Sequence, residues 1–263
     1  MQQAHDFGDE SDALYELLAP LNDTDFGRQT LFKDWTINDI LAHLHIFNHL
    51  ADLSLLDPDR FAKEYGDMKD LREEGLNMRE ATDQLLNNVK GRALLNLWHD
   101  YYPKSTAAFA AADPKQRVKW AGPDMSARSS ISARLMETWS HAQAIYDLLG
   151  VKRTNGDRIK NIVIMGMNTF GWTFINRGEE VPEDVPYVRL LAPSGEIWEW
   201  NEPSDDNCIT GQAEDFCQVV TQCRGIGDTD LKVTGETATR WMAVAQCFAG
   251  PPETPPAVGT RRV

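Results

Sequence analysis

The sequence predicts an α+β protein, a four-helix bundle followed by a small α+β domain. Two observations carry this reading. Over residues 1–178 apolar residues recur at helical spacing in long segments separated by Pro and Asp stops, whereas from Tyr187 onward apolar and polar residues alternate with period two. Between the two textures lies an acidic stretch punctuated by Pro182 and Pro186. The expected domains are therefore residues 1–178 and 187–250, with a Pro-rich tail over 251–263 expected to be disordered.

Each element follows from local chemistry. Leu14, Leu17, Leu18 and Leu21 share a helical face over residues 7–21, and Pro20 with Asn22 and Asp23 closes it. Thr36 with Asp39 three residues later has the form of a capping box, opening a helix that runs to about Leu56 and stops at Asp57-Pro58. Ile37, Ile40, Leu44 and Phe47 form its stripe, with His43 on the edge and His45 and His49 projecting elsewhere. A short helix over 59–66, a weakly amphipathic one over 68–89 and a third over 92–112 follow, the last ended by Asp113-Pro114. Residues 120–125 read as a turn, after which either Ser126 or Ser129 caps a helix carrying residues 133–150. Leu135, Trp139, Ala142, Tyr146 and Leu149 form one stripe of that helix, and Glu137 and His141 lie nearly opposite. A further helix covers 157–176, and both Trp139 and Trp172 read as core residues.

In the second domain, strands are expected at 187–191 and 197–200 around a Pro193-Ser194-Gly195 turn. A helix at 212–223, a strand at 230–233 and a helix at 236–248 complete it.

Composition narrows the function. Forty acidic against 26 basic residues give a net charge of −14, with no basic run interleaved with aromatics, so nucleic acid and anionic membrane surfaces are poor partners. Neither a signal-peptide pattern nor a membrane-length apolar run is present, and a cytoplasmic protein acting on a small molecule is expected, with homodimerisation open. Cys208, Cys217, Cys223 and Cys247 form no Cys-x-x-Cys pair and read as reduced thiols filling core.

A carboxylate and an imidazole on a central helix need partners, because buried polar groups are costly unless paired or metal-bound. Glu137 and His141, at i and i+4, offer two convergent ligands, and His43 offers a third from another helix. Two nitrogens and one oxygen suit zinc, and three protein ligands leave a position for water or substrate. Spacing alone leaves the alternatives standing: a surface ion pair for Glu137 and His141, and an ordinary core histidine at 43. Nothing in the spacing joins His45, His49 or His99 to them. Asp39 reads as a cap, and Arg224, beside Cys223 at a helix end, as a dipole contact.

Two segments add a resemblance. Trp35-Thr36-Ile37-Asn38-Asp39-Ile40-Leu41-Ala42-His43-Leu44 and Arg134-Leu135-Met136-Glu137-Thr138-Trp139-Ser140-His141 resemble the paired signatures of the DinB-like superfamily, in particular the mycothiol-dependent maleylpyruvate isomerases and their metal-binding relatives. The likeness extends to residues 120–125, 219–224 and 245–252. It implies a DinB-like four-helix bundle with a divalent metal held by His43, Glu137 and His141, followed by a sterol-carrier-like α+β domain. It further implies a low-molecular-weight thiol cofactor such as mycothiol or glutathione, zinc or alternatively nickel as the metal, and Arg224 as the catalytic basic residue that holds an acidic substrate. Cys223 stands where the isomerases tend to have Gly, and Ala144 where they tend to carry an acid. The expected function is a thiol-dependent isomerase or transferase, with a metal-dependent hydrolase or a non-catalytic metal- and ligand-binding protein as alternatives.

Overall fold

The second helix begins where its capping chemistry places it. The Thr36 hydroxyl accepts the Asp39 N–H at 3.2 Å and the Asp39 carboxylate accepts the Thr36 N–H at 2.7 Å, closing the box ahead of α2 (Ile37–Leu56). Thr36→Ala is expected to cost about 1 kcal/mol of stability, read as a lower urea midpoint at unchanged m-value. This computed structural model describes every residue except Ala121, Pro123, Arg262 and Val263. It divides into two compact units, Met1–Leu149 and Gly150–Val263.

In the first unit α1 (Gln2–Leu18) packs on α5 (Gly91–Ala111) and α6 (Ala127–Leu149), and α2 packs on the same two helices, so these four form the bundle. Phe7, Leu14, Trp98, Phe109, Leu135 and Trp139 are fully buried at its centre. Helix α1 starts five residues earlier than expected, because Ala4, Phe7, Ser11, Leu14 and Leu18 supply the buried stripe. In the α2–α5 crossover, α3 (Pro58–Glu73) continues through Gly66 instead of ending there. The i,i+4 ion pair Lys63–Asp67 at 2.9 Å spans that glycine, and Arg60–Glu64 at 2.6 Å lies just before it. The break comes at Gly75, whose φ of +101° suits glycine, and α4 (Met78–Leu85) follows behind an Asn77–Glu80 capping box. A two-residue hairpin, β1 (Arg117–Val118) and β2 (Met125–Ser126), holds the expected turn. Ala121 and Pro123 of that turn lie outside the described residues. Of the two candidate caps for α6, Ser126 is used, its hydroxyl accepting the Ser129 N–H at 3.1 Å.

The second unit holds a four-stranded sheet ordered β4-β3-β5-β6, with β3 (Tyr187–Leu191), β4 (Ile197–Trp200), β5 (Cys208–Gln212) and β6 (Lys232–Thr234). The β3–β4 hairpin turns at Gly195 as expected, with φ +89°. Strand β5, paired parallel to β3 and antiparallel to β6, is central yet carries no sequence signal, because Thr210 and Gly211 break any apolar alternation. Helices α7 (Lys160–Asn168), α8 (Phe170–Ile175), α9 (Ala213–Val220) and α10 (Glu236–Val244) pack with this sheet unit.

The observed unit boundary at Leu149/Gly150 thus differs from the expected one near residue 178. The reason is packing of α7 and α8: Gly166 lies so close to α9 that an added Cβ would stand 2.9 Å from Phe216 and 3.0 Å from Val220, and Phe170 meets Trp241 edge-on at 5.1 Å. Gly166→Val is expected to destabilise by about 1–3 kcal/mol through overpacking, measured by thermal or urea unfolding. Trp172, expected in the core, is 41% exposed, since Phe170 and Phe174 occupy the inward face of the short α8. The tail departs from expected disorder: the Gly259 N–H donates to Asp228 at 2.9 Å, and Arg177 donates to the Glu253 carbonyl at 2.6 Å. Arg262 of that tail lies outside the described residues. Among the described residues no helix is long and apolar enough to cross a membrane.

Candidate metal centre

Helix α2 carries His43 two turns beyond its Thr36 cap, and α6 carries Glu137 and His141 one turn apart. The packing of α2 on α6 brings the three together: His43 Nε2 lies 3.1 Å and His141 Nε2 3.2 Å from the same oxygen, Glu137 Oε2. Among the described residues, one ligand atom from each of the three falls within a span of 4.8 Å.

Aromatic rings fix the imidazoles. Trp35 stacks on His141 at 5.4 Å with planes 6° apart and meets His43 edge-on, while Phe32 meets His141 edge-on at 5.0 Å. Those rings come from a loop that turns back on itself, the Thr30 N–H donating to the Trp35 carbonyl at 2.8 Å while Lys33 and Asp34 take φ of 50° and 57°. Non-glycine residues in that region signal backbone strain held by surrounding contacts, a feature concentrated at functional sites. Phe47, one turn past His43, closes the other side at 4.6 Å.

The electrostatics suit a cation. Burial pushes His43 down to about 4, with His141 adding in the same direction against the hydrogen bond to Glu137, so the imidazole is neutral near pH 7. Burial would raise the Glu137 carboxyl, but hydrogen bonds from His141 and His43 and the Arg134 charge hold it well below the usual carboxylate range. A neutral imidazole and an ionised carboxylate are the protonation states that metal ligation requires, so the donor set fits a divalent ion.

A pH dependence follows for the metal-free chain. His43 and His45 are both lowered by burial from 6.5 to about 4, so between these values the unfolded chain takes up protons that the folded chain refuses. Stability therefore falls as pH drops through that window. Asp52, raised by burial from 3.8 to about 6, works in the opposite sense, because the folded chain binds its proton first. Glu137 and Glu64, both held below the usual carboxylate range, lose stability on acidification as His43 and His45 do, so the balance is a net loss of stability as pH falls from 6.5 to 4, measured as a drop in urea unfolding free energy.

The other sequence candidates separate cleanly. His45 meets Tyr101 edge-on, His49 bonds Tyr101 and Glu64, and His99 stacks on Tyr15, so none joins the cluster. Asp39 is a cap, as its spacing from Thr36 predicts. Arg224 belongs to the second unit, where it is buried and its Nη1 donates to the Cys223 carbonyl at 3.0 Å. The four cysteines form no disulfide, and burial pushes Cys217 and Cys223 upward, away from nucleophilic thiolate character. Sequence reasoning missed Phe32 and Trp35 as the walls of the centre, and Arg134 beside it. The signal for Arg134 was available: positions 134, 137 and 141 share one helical face.

The family model of the mycothiol maleylpyruvate isomerase N-terminal domain matches residues 7–146. The chain belongs to this family. His43, Glu137 and His141 all lie inside the matched span, and Arg224 lies outside it. Two relatives from two strains of Mycobacterium tuberculosis, each described as an uncharacterized protein, are 35% identical over 243 residues, covering 92% of this chain and 93% of their own. The crystal structure of a mycothiol-dependent maleylpyruvate isomerase aligns with a TM-score of 0.56 at 16% identity, covering 89% of this chain and 93% of that one. A histidine-to-alanine mutant of that isomerase aligns at 0.53 and 16%, covering 83% and 87%. At such identity the likeness establishes a shared α+β fold, helical domain first and sheet domain second.

Proposed function

We propose that this family member is a divalent-metal enzyme that works with a low-molecular-weight thiol, either isomerising an unsaturated acidic substrate or transferring the thiol to an electrophile. The observation that supports it above all is the convergence of His43, Glu137 and His141 ligand atoms within 4.8 Å on two packed helices. A divalent ion held by these residues, zinc by preference and nickel as the alternative, would supply a Lewis-acid position that lowers the pKa of a thiol bound there. Glu137 contributes the one negative charge of the set. Trp35, Phe32 and Phe47 keep water from the imidazole faces and hold their planes, so that little reorganisation accompanies binding. Arg224 is proposed, on the likeness at residues 219–224, to orient an acidic substrate group. The reading places the protein in the cytoplasm, where such thiols are held reduced.

Elemental analysis of the purified chain, followed by isothermal titration of the zinc-loaded form with mycothiol and glutathione, tests this. Stoichiometric metal and saturable binding of one thiol are expected. Metal without binding of either would remove the thiol from the proposal. Thiol-independent turnover of esters, amides or lactones would point to hydrolysis instead.

A further inference from the structure

We propose that Arg134 is the anion-recognition group of this centre, and that the molecule handled there presents a carboxylate or comparable oxyanion to it. The inference deepens the metal-centre reading and rests on it, but a separate observation carries it. Arg134 lies three residues before Glu137 on α6 and is only 2% exposed. Its Nη2 stands 3.9 Å from Glu137 Oε2, while its buried Nε and Nη1 have no hydrogen-bond partner among the described residues. The guanidinium instead contacts the rings of Phe47 and Trp120, at 5.7 and 5.9 Å from their centroids.

Ring faces compensate charge, but they do not fill in-plane N–H donors. A guanidinium keeps its proton at every physiological pH and holds its donors in a rigid fork, so a buried one with two unmet nitrogens is a costly group with unused binding capacity. Both forks of a guanidinium share Nη2, here the nitrogen nearest Glu137. An anion engaging either fork, through Nε or through Nη1, therefore meets Arg134 close to the ligand cluster. The Glu137 side chain is 23% exposed and that of Arg134 3%, so of this pair Glu137 is the one open to solvent.

Charge counting points the same way. The two imidazoles ligate only when neutral, so Glu137 and Arg134 cancel and a divalent ion brings the centre to +2, within a chain of net charge −14. An anion is what such a centre attracts, and the flanking rings hold the guanidinium in place before it arrives. An acidic substrate of the kind proposed above would thus place a carboxylate on Arg134, beside His43, Glu137 and His141.

The test is calorimetric titration of the zinc-loaded full chain with succinate and with its neutral isostere succinamide, for the wild type, Arg134→Gln and Arg134→Lys, with zinc stoichiometry measured for each. The wild type is expected to bind succinate and not succinamide. Zinc-loaded Arg134→Gln should bind succinate at least about tenfold more weakly, and Arg134→Lys, which keeps the charge but loses the fork, should fall between. Absence of succinate binding in the wild type, equal binding of the two probes, or an Arg134→Gln chain that holds zinc and binds succinate undiminished overturns the inference. Should Arg134→Gln not fold, Arg134→Lys decides, since unchanged succinate affinity in that variant is equally fatal. A wild-type chain that takes up no zinc refutes the metal reading instead, and the same titration on the metal-free chain then tests Arg134 alone.

Discussion

His43→Ala is expected to abolish stoichiometric metal binding while leaving the fold in place. The substitution removes one of three ligand atoms that meet within 4.8 Å, and the remaining Glu137 and His141 come from a single turn of α6. Loss of a residue that merely supports a ligand costs about 10–100-fold in metal affinity, and loss of a ligand should exceed that. Competition of the purified variant with a zinc chelator gives the number, and circular dichroism checks the fold. His45→Ala is the control: its imidazole lies against Tyr101, and its metal affinity should match the wild type. Full metal occupancy in His43→Ala would show that another residue completes the set.

Trp139→Ala should cost about 3–5 kcal/mol of stability, more than Thr36→Ala or Gly166→Val, because it empties a fully buried indole site at the centre of the bundle. Trp172→Ala, with the residue 41% exposed, should stay within about 0.5 kcal/mol of the wild type. Urea unfolding of both variants settles the contrast, and equal effects would contradict the packing described for α6 and α8. Trp139 lies on the helix that also carries Glu137 and His141, so the first variant should bind metal more weakly wherever it remains folded.

The elements that were legible in the sequence were those whose signals are local. The Thr36–Asp39 box marked the start of α2, and Asp57-Pro58 marked its end. The alternating Tyr187–Leu191 strand, the turn at Gly195 and the Ile197–Trp200 strand were readable because each occupies a few consecutive residues with a clear period. Strand β5 escaped because its stability comes from two neighbours across the sheet rather than from its own pattern. The continuation of α3 through Gly66 was missed for a related reason, since burial of Phe61 and Met68 on either side, against residues of α2, outweighs the propensity cost of one glycine.

Helical periodicity by itself determined that Glu137 and His141 share one face of α6, and that His43 sits at the edge of the α2 stripe, because residues one turn apart on a helix are neighbours wherever the helix goes. Only the tertiary structure decided that these two faces meet at a single carboxylate oxygen, that Phe32 and Trp35 enclose them, and that Arg134 is buried beside them with nitrogens unmet. It also decided that α7 and α8 belong with the sheet and not with the bundle. Those outcomes depend on which helix packs against which, and the free energy of that choice is spread over side chains distant in sequence, where no local period records it.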